Sequence, residues 1–437
     1  MPRIELPISK SIANRLLILQ AIHGDELAGS PTALASWGAL MPVSACGIPD
    51  DVQLLHRALT TLHNASNSSQ RERPIGGTPS YSPSGRPIAA QAASCSSIEL
   101  GNCGTSMRFL TAYCAQLEGQ TTILDGVERM HHRPIGQLVD ALREIGADIE
   151  YLGEEGFPPL RIMGKALDKS KPITLNQPQS TQFVSALLLI GANVQTDSTS
   201  PYITLTRALI DQYPIAHRAS YSPHCGRPIA AQAASSLERD WSSAAFWYEF
   251  VALHGGEITL PGLFRDSLQG DKVVADIFAH LGVHTTYTAE GITLSPIRGP
   301  RRCSHRGEHF AYSEASYSPL SGRPIAAQAA SRSKILVQDF GNCPDLYPAV
   351  ALTCERLGIE LHATGVESLP LKESDRLRAV REHRTDADHR MAMALLVAGY
   401  EVDDTACISK SYPQFLEQFQ HALPQGYPKD TPKIAHT

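Results

Sequence analysis

The amino-acid sequence predicts an α/β (α+β) fold in two domains, and three observations lead to this prediction. Segments with the apolar spacing of amphipathic helices alternate with short runs that are typical of β-strands. The chain has 437 residues, which is more than one ordinary domain contains. Apolar residues make up 42% of the chain and charged residues only 19%, so the sequence can bury a large core.

The helices and strands are predicted from the period of the apolar residues. Six segments repeat apolar residues at i, i+3 and i+4, as amphipathic helices do. These segments are Ile12–Ile22, Ile135–Ile145, Thr181–Ile190, Ser242–Leu253, Lys272–Leu281 and Leu346–Leu357. Five shorter runs are predicted to be strands. These runs are Ile149–Leu152, Ile203–Thr206, Glu257–Leu260, Val283–Tyr287 and Ile359–His362.

One segment occurs three times almost without change. The copies occupy Ser80–Ser94, Ser220–Ser235 and Ser316–Ser331, and each ends in the letters GRPIAAQAAS. Their uneven spacing and unlike flanks exclude a solenoid, whose repeats follow one another without gaps. We interpret the copies as surface insertions between structural units rather than as a threefold binding loop. A change in composition near Ala219–Leu237 indicates a domain boundary there.

Composition also narrows the functional classes. The net charge is −6, which argues against a nucleic-acid-binding protein because phosphate backbones require a basic surface. The nine cysteines form no Cys-x-x-Cys pair and no zinc-like spacing, so we expect reduced thiols. Residues Met1–Leu6 carry no signal-peptide pattern, and no apolar run reaches the ~18 residues that span a bilayer. We therefore expect a cytoplasmic protein that contacts no membrane.

The first polar motif, Leu6–Arg15, runs from a strand end into a helix. Lys10, Ser11 and Arg15 lie at the start of that helix, where free N–H groups and the helix dipole already attract anions. The motif therefore predicts a phosphate or carboxylate site. An ordinary capped helix with surface cations is the alternative interpretation.

Two further motifs combine turns with arginines. In Leu100–Arg108, two glycines allow the backbone to approach a ligand closely, although the spacing is not that of a Walker P-loop. In Arg129–Gly136, Arg133 can bind a carboxylate or a phosphate through two parallel hydrogen bonds. His131 and His132 are adjacent and their side chains diverge, so no metal site is predicted.

The motif richest in charge is Leu371–Leu377. Lys372 and Arg376 are four residues apart and share one face of a helix. Glu373 lies close to both, and a cationic pocket would keep it ionised and available as a proton carrier. A solvated helix face is the alternative interpretation.

Other polar motifs occur at predicted helix starts and turns. They are Gln179–Phe183, Asp266–Asp271, Pro344–Asp345, Asp388–Ala394 and Ser409–Pro413. If the cations of all these motifs meet, they form a cationic cleft for ligands with several negative charges. These cations are Lys10, Arg15, Arg108, Arg133, Lys372, Arg376, Arg390 and Lys410.

Taken in order, these motifs closely resemble those of the 5-enolpyruvylshikimate-3-phosphate synthase family of enolpyruvyl transferases. The matching patterns are LPxSKSxxNR, GNxGTxMR, RMxxRPIG, SxQF, DSxQGD, KESDRL, DHRMAM and SKxYP, and they cover nearly the whole chain outside the repeated segments. The resemblance implies two domains, each built from three βαβαββ units, around an interdomain cleft. Residues 10–236 would form the first domain, on the shikimate 3-phosphate side, and residues 237–437 with 1–9 the second.

The resemblance also implies an activity. The enolpyruvyl group of phosphoenolpyruvate would be transferred to the 5-hydroxyl of shikimate 3-phosphate, with release of phosphate, in the shikimate pathway of aromatic amino acid biosynthesis. The family's reaction proceeds by addition, through a tetrahedral ketal, and then by elimination. It needs no cofactor and no metal, and a monomer is expected.

The resemblance assigns site residues motif by motif. Asp345 would take the proton of the 5-hydroxyl, Glu373 would handle the methylene proton, and Lys10 completes the catalytic set. The residues expected to bind shikimate 3-phosphate are Lys10, Ser11, Arg15, Ser180, Thr181, Gln182, Thr199, Tyr202, Asp345, Ser368 and Lys372. The residues expected to bind phosphoenolpyruvate are Lys10, Gly104, Arg133, Gln182, Arg376, Arg390 and Lys410.

The spacing of two motifs departs from the family. Only 14 residues lead from Arg376 to Arg390, where the family has a longer stretch that contains strands. The short 381–388 region therefore predicts the loss of part of one βαβαββ unit and a displacement of Arg390 from the cleft. Cys103 and Phe109 replace the alanine and the proline that the family usually has.

Two other functions fit the same motifs. One is the related enolpyruvyl transferase that acts on UDP-N-acetylglucosamine, although the SKSxxNR and KESDRL patterns favour the shikimate enzyme. The other is a catalytically impaired remnant of the family that only binds anions, which the short 381–388 region and the three insertions suggest.

Overall fold

The computed structural model describes residues 2–27, 48–71, 94–219, 238–297 and 335–423. The insertions predicted at 80–94, 220–235 and 316–331 lie outside these residues, apart from Ser94. The described residues form two compact units. We call residues 12–27, 51–71 and 94–219 the N-terminal unit, and residues 2–11, 48–50, 238–297 and 335–423 the C-terminal unit.

The main sheet of the N-terminal unit is a complete βαβαββ repeat. It follows two helices, α1 (Lys10–Leu27) and α2 (Asp50–Arg71). In chain order the repeat consists of β1 (Ser94–Glu99), α3 (Gly104–Ala115), β2 (Gln120–Asp125), α4 (Gly136–Glu144), β3 (Asp148–Tyr151) and β4 (Leu160–Met163). The strand order is β1-β2-β4-β3; β1 and β2 are parallel, and β4 is antiparallel to both neighbours. Helix α3 is the crossover that a parallel pair requires, so its start lies at the carboxyl end of β1.

A shorter β-α-β-α stretch completes the described N-terminal unit. It consists of β5 (Ile173–Thr174), α5 (Thr181–Leu189), β6 (Val194–Gln195) and α6 (Pro201–Ala219). The strand predicted at Ile203–Thr206 is wrong, because these residues lie in α6. Ser200 and Pro201 start the helix: the Ser200 side chain accepts from the Tyr202 N–H at 3.3 Å, and proline suits the first helical position. This local capping outweighs the β-like alternation of residues 203–206.

The C-terminal unit contains most of a second repeat, and the chain start lies in the place of its first strand, where Arg3 and Thr259 form an isolated parallel bridge. The other elements are α7 (Trp241–His254), β7 (Ile258–Pro261), α8 (Val274–His280), β8 (Val283–Tyr287) and β9 (Gly291–Pro296). The strands follow the order β7-β9-β8 and are antiparallel. Ile4 donates its N–H to the Thr259 carbonyl at 3.0 Å, and Thr259 donates to the Pro2 carbonyl at 3.1 Å, so the first residues run parallel to β7.

The last repeat of the C-terminal unit is truncated. It consists of β10 (Ile335–Asp339), α9 (Tyr347–Leu357), β11 (Glu360–Thr364) and α10 (Arg376–Glu382), and β10 and β11 are parallel. Residues 383–388 then lead straight into α11 (His389–Val397), which α12 (Phe415–Ala422) follows. Residues 365–388 are all described and contain no strand, so the predicted loss of part of one repeat is confirmed.

Short 3-10 helices connect these elements at Glu128–His132, Gly270–Val273, Pro344–Leu346, Leu369–Leu371 and Ala406–Lys410. The alternation of helices and strands confirms the predicted mixed α/β class, and all six predicted helices are present. Among the described helices, none is long and apolar enough to cross a membrane.

One carboxyl group lies unpaired in the core of the C-terminal unit. Glu249 is part of α7, and nearly all residues of this helix are buried. The side chain of Glu249 is fully buried. Neither of its carboxylate oxygens has a hydrogen-bond partner among the described residues. Burial raises the pKa of Glu249 well above its ordinary value, so folding favours the protonated acid.

We expect Glu249→Leu to stabilise the protein at neutral pH by about 1–3 kcal/mol, the usual cost of an unsatisfied buried polar group. The gain should be small below pH 4.5, the ordinary pKa of this carboxyl, and should grow as the pH rises. The sign follows because the unfolded chain releases a proton that the folded chain retains. Urea unfolding at several pH values measures the gain, with the exposed Glu257→Gln as control. A gain that is independent of pH would contradict the explanation.

Candidate active site

Two arginines lie against the start of α3 in the N-terminal unit. Arg133 Nη1 donates to the Asn102 backbone oxygen at 2.9 Å and to its side-chain oxygen at 3.1 Å. Arg108 Nη2 donates to the Pro134 carbonyl at 3.1 Å. A Cβ atom placed on Gly104 would lie 2.2 Å from Arg108 Nη1 and 2.4 Å from Arg133 Nη2. The absence of a side chain at Gly104 is therefore what lets both guanidinium groups approach the N-terminus of α3.

The charge of Arg108 is poorly compensated in this arrangement. Its Nε and Nη1 atoms are buried and have no hydrogen-bond partner among the described residues. Burial, and then the like charge of Arg133, lower the pKa of Arg108 well below its ordinary value. A bound anion would pair with both guanidinium groups and with the free N–H groups of the helix start. In the sequence analysis, Arg108 is one of the cations expected to form a cleft, but it is not among the residues expected to bind either substrate.

Helix α5 starts beside the same turn. Gln182 Nε2 donates to Thr105 Oγ1 at 2.9 Å, which joins the starts of α5 and α3. The Ser180 side chain caps α5 by accepting from the Gln182 N–H, and Thr181 is the first helical residue. Of the residues predicted to bind substrate in the N-terminal unit, the structure thus brings Gly104, Arg133 and Gln182 together.

Arg15 is used within the core of the N-terminal unit. It is 3% exposed, and it donates from Nε to Thr206 Oγ1 at 2.7 Å and from Nη2 to Ser185 Oγ at 3.2 Å. Its Nη2 also donates to the Tyr202 carbonyl at 3.4 Å. Burial lowers the pKa of Arg15 to about 10. Arg15 therefore joins α1 to α5 and α6, while Thr199 lies exposed in the loop before α6.

In the C-terminal unit, three cations surround Asp345, which lies in the 3-10 helix Pro344–Leu346 that precedes α9. Its Oδ1 accepts from Arg376 Nη1 at 2.7 Å and lies 3.9 Å from Lys372 Nζ. Its Oδ2 lies 2.9 Å from Arg390 Nη2. Burial raises the pKa of Asp345, but the three cations outweigh burial and hold this pKa well below its ordinary value. Asp345 is therefore ionised at neutral pH.

A second carboxylate, Glu373, forms the other centre of this cluster. Its Oε2 lies 2.8 Å from His389 Nδ1, and its Oε1 lies 3.1 Å from Lys410 Nζ. Burial raises the pKa of this carboxyl, but His389, Lys410 and Lys10 together hold it well below its ordinary value. Lys10 and Lys410 are therefore near enough to Glu373 to lower its pKa, and Lys410 forms an ion pair with it.

The histidine of this pair was not predicted as a site residue. His389 is fully buried at the start of α11, and burial lowers its pKa even though Glu373 raises it. Because an ionised carboxylate can only accept, the His389 Nδ1 atom carries the proton and Nε2 is left as an acceptor. Nε2 has no hydrogen-bond partner among the described residues. His389 therefore acts on Glu373 as a neutral hydrogen-bond donor.

Asp388 connects the two carboxylate clusters and was also missed. Its Oδ1 accepts from the Arg390 N–H at 2.9 Å, which caps α11. Its Oδ2 accepts from Arg376 Nε at 2.8 Å and from Ser374 Oγ at 3.1 Å. The Arg376 guanidinium thus lies between Asp388 and Asp345. An aspartate directly before a helix is a common N-cap, and that signal could have drawn attention to it.

The short 381–388 region does not separate Arg390 from Arg376 and Asp345. Arg376 and Arg390 both bind Asp345, although they are 14 positions apart in the chain. The physical reason is the tight turn between their helices, in which His383, Asp386 and Ala387 have φ of 51°, 46° and 56°. These left-handed residues reverse the chain within a few positions, so the starts of α10 and α11 remain neighbours without a hairpin.

The Asp266–Asp271 motif has a structural role in the C-terminal unit. Gln269 Oε1 accepts from Ser9 Oγ at 2.8 Å and from the Trp241 N–H at 3.2 Å, which joins the chain start to α7. Asp271 accepts from Ser242 Oγ. Burial, and then the charge of Asp345, raise the pKa of Asp271 to about 6.

One grouping has the composition of a metal site. Glu373, Asp388 and His389 each offer a ligand atom, and these atoms lie within 4.8 Å of one another. However, Lys410 and Arg376 already bind the two carboxylates, and a divalent cation would have to displace these buried ion pairs. We therefore assign no metal to this grouping.

The remaining predicted residues lie at the ends of helices. Ser11 is half-buried in the first turn of α1. Ser368 is half-buried and directly precedes the 3-10 helix Leu369–Leu371. Contacts of Ser11, Ser368 and Thr199 with shikimate 3-phosphate stay predictions.

Comparison with known proteins identifies the family. The chain matches the family model of EPSP synthase (3-phosphoshikimate 1-carboxyvinyltransferase) over residues 2–419. The chain belongs to the EPSP synthase family.

Relatives within the EPSP synthase family cover nearly the full chain. A protein of Bacteroides fragilis is 33% identical over 470 residues, which include 96% of this chain and 94% of that protein. A protein of Cellvibrio japonicus is 30% identical over 439 residues, with 96% of each chain covered. Both relatives are named 3-phosphoshikimate 1-carboxyvinyltransferase.

Solved structures agree with the family at the level of the fold. EPSP synthase from Acinetobacter baumannii matches with a TM-score of 0.50 and 18% identity, over 96% of this chain and 95% of that one. The enolpyruvyl transferase NikO from Streptomyces tendae also has a TM-score of 0.50, with 13% identity over 96% of this chain and 94% of that one. At these identities the likeness confirms the enolpyruvyl transferase fold and does not distinguish between acceptors.

Proposed function

We propose that this chain is a 3-phosphoshikimate 1-carboxyvinyltransferase. It transfers the enolpyruvyl group of phosphoenolpyruvate to the 5-hydroxyl of shikimate 3-phosphate and releases phosphate, a step of the shikimate pathway of aromatic amino acid biosynthesis. The observation that carries the proposal is the C-terminal cluster, in which Asp345 is bound by three cations and Glu373 by Lys410 and His389. Relatives that cover nearly the whole chain and have this activity in their names support it.

The cations of both units suit substrates with phosphate and carboxylate groups. Arg133 and Gly104 of the N-terminal unit, and Arg376 and Arg390 of the C-terminal unit, belong to motifs that the family uses for phosphoenolpyruvate. Arginine forms paired hydrogen bonds with both kinds of anion. We assign phosphoenolpyruvate to Lys10, Gly104, Arg133, Gln182, Arg376, Arg390 and Lys410. We assign shikimate 3-phosphate to Lys10, Ser11, Arg15, Ser180, Thr181, Gln182, Thr199, Tyr202, Asp345, Ser368 and Lys372.

The reaction needs one group to accept a proton and another to deliver one. Asp345 takes the proton of the 5-hydroxyl as its oxygen bonds to the central carbon of phosphoenolpyruvate. Glu373, which takes up a proton from solvent once bound substrates have raised its pKa, gives that proton to the methylene carbon, which forms the tetrahedral ketal. In the elimination, Glu373 takes a proton back from the new methyl group as the carbon–oxygen bond to phosphate breaks. The phosphate leaves with the proton that Asp345 received.

The resting charges of Asp345 and Glu373 explain why substrates must bind first. Cations hold the pKa of both carboxyls low, so neither is a strong base or a ready acid in the unliganded protein. Phosphate and carboxylate groups compete for the same cations and add negative charge beside the carboxylates. Both changes raise the two pKa values, so substrate binding itself prepares Asp345 and Glu373 for proton transfer.

The competing functions have weaker support. The two curated relatives described above are both named for the shikimate reaction, and no observation here favours UDP-N-acetylglucosamine as acceptor. The short 381–388 region and the three insertions suggested an anion-binding remnant, but the short region still leaves Arg390 bound to Asp345. We also propose that the protein works in the cytoplasm as a monomer. Its six described cysteines are all free, as a reducing compartment requires.

A phosphate-release assay on the purified protein tests the function. We expect phosphate release with phosphoenolpyruvate and shikimate 3-phosphate together, and none when UDP-N-acetylglucosamine replaces the acceptor. Release only with the UDP-sugar would change the acceptor. Binding of shikimate 3-phosphate in calorimetry without any turnover would make the chain a remnant.

Gly104→Ala is expected to raise the KM for phosphoenolpyruvate about 10- to 100-fold. The new Cβ would lie 2.2 and 2.4 Å from the ends of Arg108 and Arg133, so both guanidinium groups must move away. Weakening one hydrogen bond to a charged group costs about 1.5–3 kcal/mol, which corresponds to this range. Steady-state phosphate release measures the KM. Gly153→Ala is the control, because its Cβ would meet Pro159 at an ordinary 3.5 Å. An unchanged KM would remove Gly104 from the binding site.

A further inference from the structure

The turn that replaces the missing hairpin has contacts of its own that lead to the active-site cluster. Thr385, in the middle of the turn, is completely buried. Its hydroxyl donates to Asp403 Oδ1, and its N–H donates to the same oxygen at 3.3 Å. Asp403 follows α11 in the chain, so one carboxylate oxygen accepts from both hydrogen-bond donors of Thr385, 18 positions earlier.

The carbonyl of Thr385 continues the chain of contacts. It accepts from the Asp388 N–H at 2.9 Å, which fixes the residue that caps α11. Asp388 in turn binds Arg376 Nε at 2.8 Å and the Arg390 N–H at 2.9 Å. Each of these bonds is buried or partly buried, so water does not readily replace any of them.

We propose that Thr385 and Asp403 form a clasp that positions Asp388, and through it the Arg376 and Arg390 guanidinium groups, for phosphoenolpyruvate. The proposal rests on the proposed function of this cluster. Neither residue contacts the reacting groups in this scheme; both are positioning residues. The two hydrogen bonds of the clasp hold the turn in place in a repeat that lacks its hairpin.

The rest of the turn does not explain the position of Asp388. His383 is held separately at the end of α10, where its ring stacks on Tyr400 at 4.0 Å between centroids and its Nε2 lies 3.0 Å from Glu355 Oε1. Asp386 binds Arg378 at 2.9 Å and Arg384 at 3.2 Å. These contacts hold the outer side of the turn, whereas the Thr385 carbonyl is the acceptor for the Asp388 N–H.

Four variants test the clasp. Thr385→Val keeps the shape of the buried side chain and removes the hydroxyl, whereas Thr385→Ser keeps the hydroxyl. Asp403→Ala removes the acceptor at an exposed position, where loss of folding is not expected. Asp386→Asn is the matched control, since asparagine tolerates the left-handed backbone of this position in the same turn.

The first readout does not depend on catalysis. Hydrogen exchange of the Asp388 and Arg390 backbone amides should accelerate at least about tenfold in Thr385→Val and Asp403→Ala, because the bonds that protect them are weakened. Thr385→Ser and Asp386→Asn should retain the original protection. Unchanged exchange in both Thr385→Val and Asp403→Ala would overturn the clasp.

The second readout is kinetic. In Thr385→Val and Asp403→Ala, the KM for phosphoenolpyruvate should rise about tenfold or more while kcat changes less than about threefold, since misplaced guanidinium groups weaken binding. Thr385→Ser should restore the KM. A KM equal to that of the unsubstituted chain, or an equal defect in Thr385→Ser, would overturn the positioning role. If the unsubstituted chain releases no phosphate, the proposed function fails, and the exchange measurement still decides the clasp.

Discussion

Asp345→Asn is expected to lower kcat about 10²- to 10⁴-fold while the KM for phosphoenolpyruvate stays equal or falls. The carboxamide has nearly the shape of the carboxylate, but it does not take up the hydroxyl proton as a base would. The substitution also removes the negative charge that Arg376, Arg390 and Lys372 share, so the cluster should attract anions more strongly. Steady-state phosphate release at several substrate concentrations separates the two effects.

A large loss of kcat without a rise in KM distinguishes a catalytic base from a residue that only binds substrate. Asp266→Asn, at an exposed position of the same unit, is the matched control and should leave both constants unchanged. An undiminished kcat in Asp345→Asn would exclude Asp345 as the base. A raised KM with an unchanged kcat would reassign it to substrate binding.

Arg376→Met is expected to lower the free energy of unfolding by about 3–5 kcal/mol, the usual result of removing one partner from a buried ion pair. Arg376 is 1% exposed and lies between Asp345 at 2.7 Å and Asp388 at 2.8 Å. Methionine fills much of the space but leaves both buried carboxylates without this cation. Urea denaturation measures the loss.

The pH dependence of that loss identifies its cause. Without Arg376, Asp345 and Asp388 are more easily protonated, so their pKa values rise and the deficit should shrink as the pH falls. Arg378→Met is the control on the same helix: Arg378 is half exposed, binds Asp386 at 2.9 Å, and should contribute less than about 1 kcal/mol. Equal losses in the two variants would mean that the buried ion pairs do not govern the stability of this cluster.

The sequence predicted well where apolar spacing and short motifs agree. All six predicted helices are present, because apolar residues at i, i+3 and i+4 have few other ways to be buried. The segment with Lys372, Glu373 and Arg376 does contribute to one charged cluster, but only Arg376 lies in a helix; Lys372 and Glu373 precede it. Charge pattern therefore identified the cluster even where the local structure differed.

The sequence predicted poorly where a helix cap, a turn conformation or a long-range contact decides. The alternating residues at Ile203–Thr206 suggested a strand, but the cap at Ser200 makes them helical. The short spacing before Arg390 suggested displacement, because nothing in a linear pattern shows that three left-handed residues close the turn. Asp388 and His389 were missed as site residues because their partners, Arg376 and Glu373, precede them by 12 and 16 residues.

The paired arginines at the start of α3 have a consequence for the unliganded protein. Arg108 and Arg133 repel each other there, and the Nε and Nη1 atoms of Arg108 are buried and unsatisfied among the described residues. The two like charges and the unsatisfied Arg108 atoms therefore favour binding of a small oxyanion between the guanidinium groups. Inorganic phosphate, which the reaction itself generates, should accordingly raise the melting temperature and slow the next turnover.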